Sequence, residues 1–166
     1  MSPRYNQNYL CPVKRTLGME AFAPVGPTAV TTGTFDGVHA GHRTILRRLQ
    51  EAAAALGGAS VVVTFDPHPR KIVHPEFPLQ LLTTLEERAE LLVEVGLDHL
   101  VIQPFTPEFA AWSSLDFVRR GLVQHLDVRR LIIGYDHHFG RNREGTFAHL
   151  QEFGPVYGFE VEEIPP

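Results

Sequence analysis

The sequence predicts an α/β fold: a doubly wound, five-stranded parallel Rossmann-like sheet with helices on both faces. Three observations carry that expectation. β-Branched apolar runs alternate with amphipathic segments along the 166 residues. The runs are hydrophobic throughout rather than alternating, which is the pattern of strands covered on both sides. Each block rich in glycine, proline or histidine begins where such a run ends, so these blocks collect at the carboxyl edge of the sheet, where α/β folds bind ligands.

Residues 1–27 contain four prolines and little periodicity, and read as an N-terminal arm leading into a domain at 28–166. Thr28 to Thr34 reads as the first strand. After Gly41, the positions Ile45, Leu49, Ala52, Ala53 and Leu56 mark one face of a helix. Ala59 to Phe65 is the second strand, and Pro67, Pro69, Pro75 and Pro78 then predict a long surface loop. Thr84 to Val95 reads as a helix, with Thr84 and Glu87 as a capping box and Gly96 as its end. His99 to Gln103 is the third strand. Ser114 to Leu126 is a helix that turns Phe117, Val118, Leu122 and Val123 inward. Arg130 to Gly134, a helix from Gly145 to Phe153, and a last strand from Phe159 to Ile164 complete the pattern.

The segment Gly33-Thr34-Phe35-Asp36-Gly37-Val38-His39-Ala40-Gly41-His42 carries the most chemistry. A strand passing through a glycine turn into a helix leaves N–H groups and a positive dipole end outward, which is an anion site. His39 and His42, three residues apart where the helix begins, can both face that anion, and Gly41 leaves room for a phosphate. A Walker loop would need a lysine after the glycines, and a dinucleotide fingerprint would need Gly-x-Gly-x-x-Gly; the glycines here fall at 33, 37 and 41. A zinc site would need a third ligand, which the local sequence does not supply. The motif points to a nucleotide.

Composition narrows the setting. A net charge of −4 offers no basic stripe for nucleic acid. Cys11 is the sole cysteine, which excludes an internal disulfide and suits a reducing compartment. No apolar run reaches membrane length and the first residues hold no signal-peptide core, so the expectation is a cytoplasmic protein without membrane or nucleic-acid partners. His74, His99, His125 and His149 fall in no motif and read as surface or satisfied polar residues.

These residues carry a family resemblance. Gly33 to His42 is similar to the signature of the adenylyltransferase (FAD synthetase) module of bacterial bifunctional riboflavin kinase/FMN adenylyltransferases, within the His-x-Gly-His nucleotidyltransferase superfamily. Three further blocks match in order: Thr64-Phe65-Asp66-Pro67-His68-Pro69, Leu82-Thr83-Thr84-Leu85-Glu86-Glu87-Arg88, and Gly134-Tyr135-Asp136-His137-His138-Phe139-Gly140 with Arg143 and Gly145. The resemblance covers the chain from about Thr28 onward.

The resemblance implies transfer of AMP from ATP to FMN, giving FAD and pyrophosphate, with Mg²⁺ accompanying ATP. It places His39 and His42 as catalytic donors, and Gly33, Thr34, Phe35, Asp36, Gly37, Gly41, Gly134 and Asp136 on the ATP side. It places Phe65, Pro67, His68, Pro69, Phe105 and Phe139 on the flavin side. A stiff proline path can present an aromatic ring to a planar ligand at low entropy cost, although a proline turn is the bland alternative for 67–69 and core packing is the alternative for Phe105 and Phe109. Arg141 and Arg143 reach phosphate or are solvated surface charges. Magnesium keeps mostly water and phosphate oxygens, so no protein ligand is assigned to it. His137 and His138 depart from the family, which commonly carries an aromatic or apolar residue after the acid.

The resemblance further implies a second phosphate-binding motif and a riboflavin kinase module beyond Pro166, so the chain is expected to be the front part of a longer protein. Pantetheine-phosphate or nicotinamide-nucleotide transferases of the same superfamily, and a non-catalytic nucleotide-binding module, are the alternative functions. Oligomeric state is not encoded in any motif.

Overall fold

A computed structural model describes residues 13–38 and 40–166. Its sheet has six strands, all parallel, in the order β1-β4-β3-β2-β5-β6: β1 (Lys14–Leu17), β2 (Thr28–Thr32), β3 (Ala59–Asp66), β4 (His99–Pro104), β5 (Val128–Gly134) and β6 (Glu160–Ile164). The expected five strands are therefore six. Part of the segment read as an arm, Lys14–Leu17, forms β1 by pairing with the otherwise open edge of β4. It is short and mostly exposed, so its sequence carries no buried face that periodicity could register. Residues 1–12 and His39 lie outside the described residues.

The helices cover both faces. On one side α1 (Ala40–Leu56) and α3 (Leu85–Val95) bury Leu46, Leu49, Ala52, Ala53, Ala89 and Leu92 against Ala29, Val62, Leu100 and Ile132. On the other, Leu122, Leu126 and Leu150 pack over Val30, Val61, Val63, Val101, Leu131 and Ile133. Successive strand residues such as Ala29 and Val30 thus enter opposite cores, as a strand's period of two demands. Each fully buried leucine or valine contributes about 1.5–3 kcal/mol of transfer free energy. Ile45 and Leu56, predicted on the core face of α1, are half-buried at its margins, while Leu46 is fully interior.

Local signals decide the element ends. Thr84 caps α3, Glu87 closes the capping box, and Gly96 takes the left-handed conformation that terminates the helix. The proline-rich loop contains a short helix, α2 (Pro69–Val73), where none was expected. Pro69 occupies its first turn, where proline's missing N–H costs nothing, and His68 caps it. After α4 (Pro107–Ala110), the helix expected at 114–126 begins as α5 (Ser114–Asp116) and continues as a π-helical stretch, Phe117–His125. α6 (Phe147–Tyr157) starts after a Thr146/His149 capping box and runs beyond the predicted end, through Pro155.

Chain order grows the sheet from β2 through β3 to β4 and then returns to the opposite flank of β2 with β5. The switch point lies between β2 and β5. Their pairing runs only from Thr28 to Val30, although β2 continues to Thr32 and β5 to Gly134. The two strands part at their carboxyl ends and open a crevice, the ligand position of doubly wound sheets.

Candidate nucleotide site

The crevice widens into a cleft of about 1030 Å³. Its floor is the carboxyl end of β2 (Thr31, Thr32) and of β5 (Gly134), and one wall is the start of α1 (Gly41, His42, Thr44, Ile45). Gly33, Thr34 and Phe35 lead from the floor to that wall; Tyr135, Asp136, His137, His138 and Arg143 form the other side, and Ile164 to Pro166 close the end. The N-terminus of the 17-residue helix α1 therefore opens onto the cleft with its positive dipole end.

The turn into α1 is held in an uncommon shape. Phe35 and Val38 take φ of 51° and 44°, and both side chains are buried. Left-handed backbone in bulky residues is costly and persists where packing enforces it. Gly37 has φ 75°, and a Cβ there would stand 2.9 Å from Leu82 Cδ1. The Phe35 ring lies 5.0 Å from that of His42, tilted by 54°, so the buried phenylalanine backs the imidazole at the cleft wall.

Several predicted residues do converge: Gly33, Thr34, Phe35, Gly41, His42, Gly134 and Asp136 all line the cleft. Asp36 and Gly37 do not. The Asp36 carboxylate accepts the Leu82 N–H (2.8 Å), the Thr83 N–H (2.9 Å) and the Thr83 hydroxyl (2.8 Å), and Gly37 N donates to Thr83 Oγ1 (3.1 Å). Burial raises the Asp36 carboxyl, but these hydrogen bonds with the nearby Arg88 charge outweigh it and leave the pKa below the ordinary value. Asp36 ties the turn before α1 to the residues that precede α3.

The residues expected on the flavin side lie further along the same carboxyl edge, over β3 and β4. Phe65 and Phe105 meet edge-on at 5.7 Å, with Phe109 5.5 Å from Phe105 and Trp112 4.9 Å from Phe109. Phe105 N donates to the Asp66 carbonyl, holding this cluster beside the Pro67–Pro69 segment. Phe139 is not brought there: it is buried against Phe117 and stacks under His137 at 6.0 Å.

Sequence reasoning missed several lining residues. Thr44, Ile45, Arg48 and Glu51 continue the helical spacing of the predicted Gly41 and share its face of α1. Arg48 is tied to Glu162 (2.7 Å) and Glu51 (3.1 Å). Arg47 and Arg143 line the cleft with no ion pair among the described residues. His137 crosses the crevice floor, its Nε2 3.3 Å from Thr32 Oγ1. Burial, helped by the neighbouring His138 and Arg143 and opposed by Asp136, pushes its pKa down to about 4, so the ring is neutral near pH 7. No cluster of three metal-ligating side chains occurs among the described residues, and no helix among them is long and apolar enough to cross a membrane.

A parallel doubly wound sheet whose switch-point crevice meets a helix N-terminus defines a nucleotide-binding α/β module. The chain belongs to the FAD synthetase family, whose profile matches residues 23–166. It is 38% identical over 139 residues to the bifunctional riboflavin kinase/FMN adenylyltransferase of Escherichia coli (strain K12), covering 84% of this chain and 44% of that one. It is 42% identical over 132 residues to the Pseudomonas fluorescens protein of the same description, covering 80% and 42%. A putative member from Geobacillus thermodenitrificans (strain NG80-2) is 40% identical over 129 residues, 78% of this chain and 69% of that one. The chain thus spans less than half the length of the first two relatives. Among solved structures, a Streptococcus pneumoniae protein described as a macrolide-efflux protein superposes with a TM-score of 0.78 at 22% identity, covering 93% of this chain and 52% of that one. Pantoate-beta-alanine ligase from Francisella tularensis, complexed with beta-gamma ATP and beta-alanine, gives 0.60 at 13%, covering 92% and 67%. At these identities the likeness is one of fold.

Proposed function

We propose that this module transfers the adenylyl group of ATP to FMN, and that the cleft between β2 and β5 is its ATP site. One observation carries the reading: within a FAD synthetase chain, the switch-point cleft with His42 at the start of α1 adjoins the aromatic and proline-rich edge over β3 and β4. A nucleotide and a flavin lying side by side along that edge bring their phosphates together over the Gly33–His42 turn.

The FMN phosphate oxygen attacks the α-phosphorus of ATP, the bond to the bridging oxygen of the β-phosphate breaks, and pyrophosphate leaves. A phosphate monoester is already nucleophilic, so the protein's part is alignment and charge stabilisation. His42, with His39, donates to phosphate oxygens as their charge grows. Arg47 and Arg143 face the triphosphate, and Asp136 accepts from the ribose or adenine. Phe65, Phe105 and the Pro67–Pro69 segment receive the flavin; Phe139 supports His137 from beneath. ATP enters as its magnesium complex. Asp136 in the cleft lining, without a carboxylate cage among the described residues, fits an ion carried by phosphates and water.

The bifunctional descriptions of the relatives support a second proposal, that in the whole protein this module at 28–166 works beside a riboflavin kinase module. A cytoplasmic setting belongs to the same proposal. Amide chemical-shift mapping with a non-hydrolysable ATP analogue and with FMN tests the site. ATP shifts are expected at Thr32, Gly33, His42 and Asp136, and flavin shifts at Phe65, His68 and Phe105. Flavin shifts centred on Thr28 and Gly58, at the amino edge of the sheet, would overturn it.

A further inference from the structure

Among the described residues Arg88 is the only charged side chain in the buried set, 3% exposed. Burial and the helix terminus both oppose a cation there. It sits in the first turns of α3, at the positive end of the helix dipole. No carboxylate of the described residues lies within ion-pair distance, and its Nε has no hydrogen-bond partner. Burial lowers its pKa, and the more distant Asp36 and Asp66 offset this only in part. A buried, incompletely paired guanidinium destabilises a fold unless its position serves something else.

Its one side-chain bond indicates what. Arg88 Nη1 donates to Thr64 Oγ1 at 3.1 Å, and the Thr64 hydroxyl donates onward to the Thr34 carbonyl at 3.2 Å. Thr64 stands two residues before Asp66 and the Pro67–Pro69 segment; Thr34 is in the turn that lines the cleft. The same turn is fastened to the entry of α3 by Asp36. We propose that Arg88 is a positioning residue that locks the nucleotide turn and the proline loop into one register, so that the two reacting phosphates meet in line. The proposal rests on the assignment of those two segments to ATP and FMN.

His68 provides a reporter of this lock. Its Nδ1 accepts the Arg70 N–H at 3.1 Å, which fixes the neutral ring as the Nε2–H tautomer. Its pKa is held below the ordinary histidine value by burial and by the Arg88 charge, with Arg70 and Lys71 adding to the effect and Asp36 opposing it. The guanidinium is thus electrically close to the proline loop as well as bonded through Thr64.

The test compares Arg88→Met, Arg88→Lys and Thr64→Val in the intact protein. Misregister of bound substrates falls on turnover rather than on ground-state binding. Arg88→Met is expected to lower kcat for FAD formation at least thirtyfold while Kd for a non-hydrolysable ATP analogue and for FMN stays within threefold. In the same variant the His68 imidazole, followed by NMR, titrates at higher pH, and Arg88→Lys moves it back. Thr64→Val removes the relay but keeps the charge; it lowers kcat with the His68 titration unchanged, and it decides the matter if Arg88→Met fails to fold. Unchanged kcat in a folded Arg88→Met, or in Thr64→Val, would overturn the proposal, as would losses of binding equal to the loss of turnover. If the wild type adenylylates a different phosphorylated acceptor, the FMN assignment fails, and the same ratios measured on that acceptor still judge Arg88.

Discussion

Asp36 holds Thr83 at both its backbone and its side chain: one carboxylate oxygen, Oδ1, accepts the Thr83 N–H at 2.9 Å and the Thr83 hydroxyl at 2.8 Å. Two of the sequence blocks, far apart in the chain, are thereby a single structural unit. The acid that the sequence places on the ATP side is committed instead to shaping the turn before α1.

Replacing Asp36 with alanine is expected to destabilise the protein by about 1–3 kcal/mol, the usual cost of losing hydrogen bonds to a charged acceptor at a partly exposed site. Urea unfolding measures it. Because the folded pKa is lowered, the contribution is present above the ordinary carboxyl value of 3.8 and is lost as the pH falls through the folded value. Asp36→Ala should therefore differ from wild type at pH 7 and converge with it in strong acid.

His137 gives a pH signature of the same sign in a higher window. Folded, it titrates near 4; unfolded, near the model-peptide value of 6.5. Between those values the unfolded chain binds the extra proton, so stability falls as the pH drops from about 6.5 toward 4, by up to about 3 kcal/mol. His137→Phe, which keeps an aromatic ring over Phe139, should flatten that part of a plot of Tm against pH. A wild-type profile already flat from pH 7 to 4.5 would show that the ring is not held neutral.

Gly37→Ala should lower stability through its backbone. A left-handed φ costs an L-residue roughly 1–2 kcal/mol, whereas the Leu82 side chain met by the new Cβ is largely exposed and can turn aside. For a protein of this size the loss corresponds to a fall in Tm of roughly 2–8 °C, readable by scanning calorimetry. An unchanged Tm would mean that the turn relaxes to negative φ.

Strands β2 to β6, the caps of α3 and the first half of the cleft are legible in the sequence because each is a local signal: a β-branched run, a Thr84/Glu87 pair, a glycine turn before a helix. The parts that are not legible depend on tertiary partners. Lys14–Leu17 becomes a strand only because the edge of β4 is open. Asp36 looks like a ligand-binding acid until Thr83 is brought beside it. Phe139, a residue with no periodic pattern around it, is drawn inward by Phe117. Arg88 stands in one of the matched blocks, but nothing in its neighbours announces that it is buried against Thr64.

His42→Ala in the intact protein is expected to reduce turnover by about 10²–10³-fold, the range for removing one donor to a developing negative charge. Folding should be intact, because the imidazole lies at the cleft wall and its backing residue Phe35 keeps its own burial. Steady-state kinetics with matched circular dichroism spectra check this. Near-normal kcat would remove His42 from the transition state.

The most direct test of the central claim follows the label from ATP carrying radioactive phosphorus in the α-position. The intact protein is given that ATP with magnesium and FMN, or instead with pantetheine phosphate or nicotinamide mononucleotide, and the products are separated by chromatography. The account predicts label in FAD with stoichiometric release of unlabelled pyrophosphate, and neither product with the other acceptors. Label transferred to another acceptor in preference to FMN, or nucleotide bound without any transfer, would contradict it.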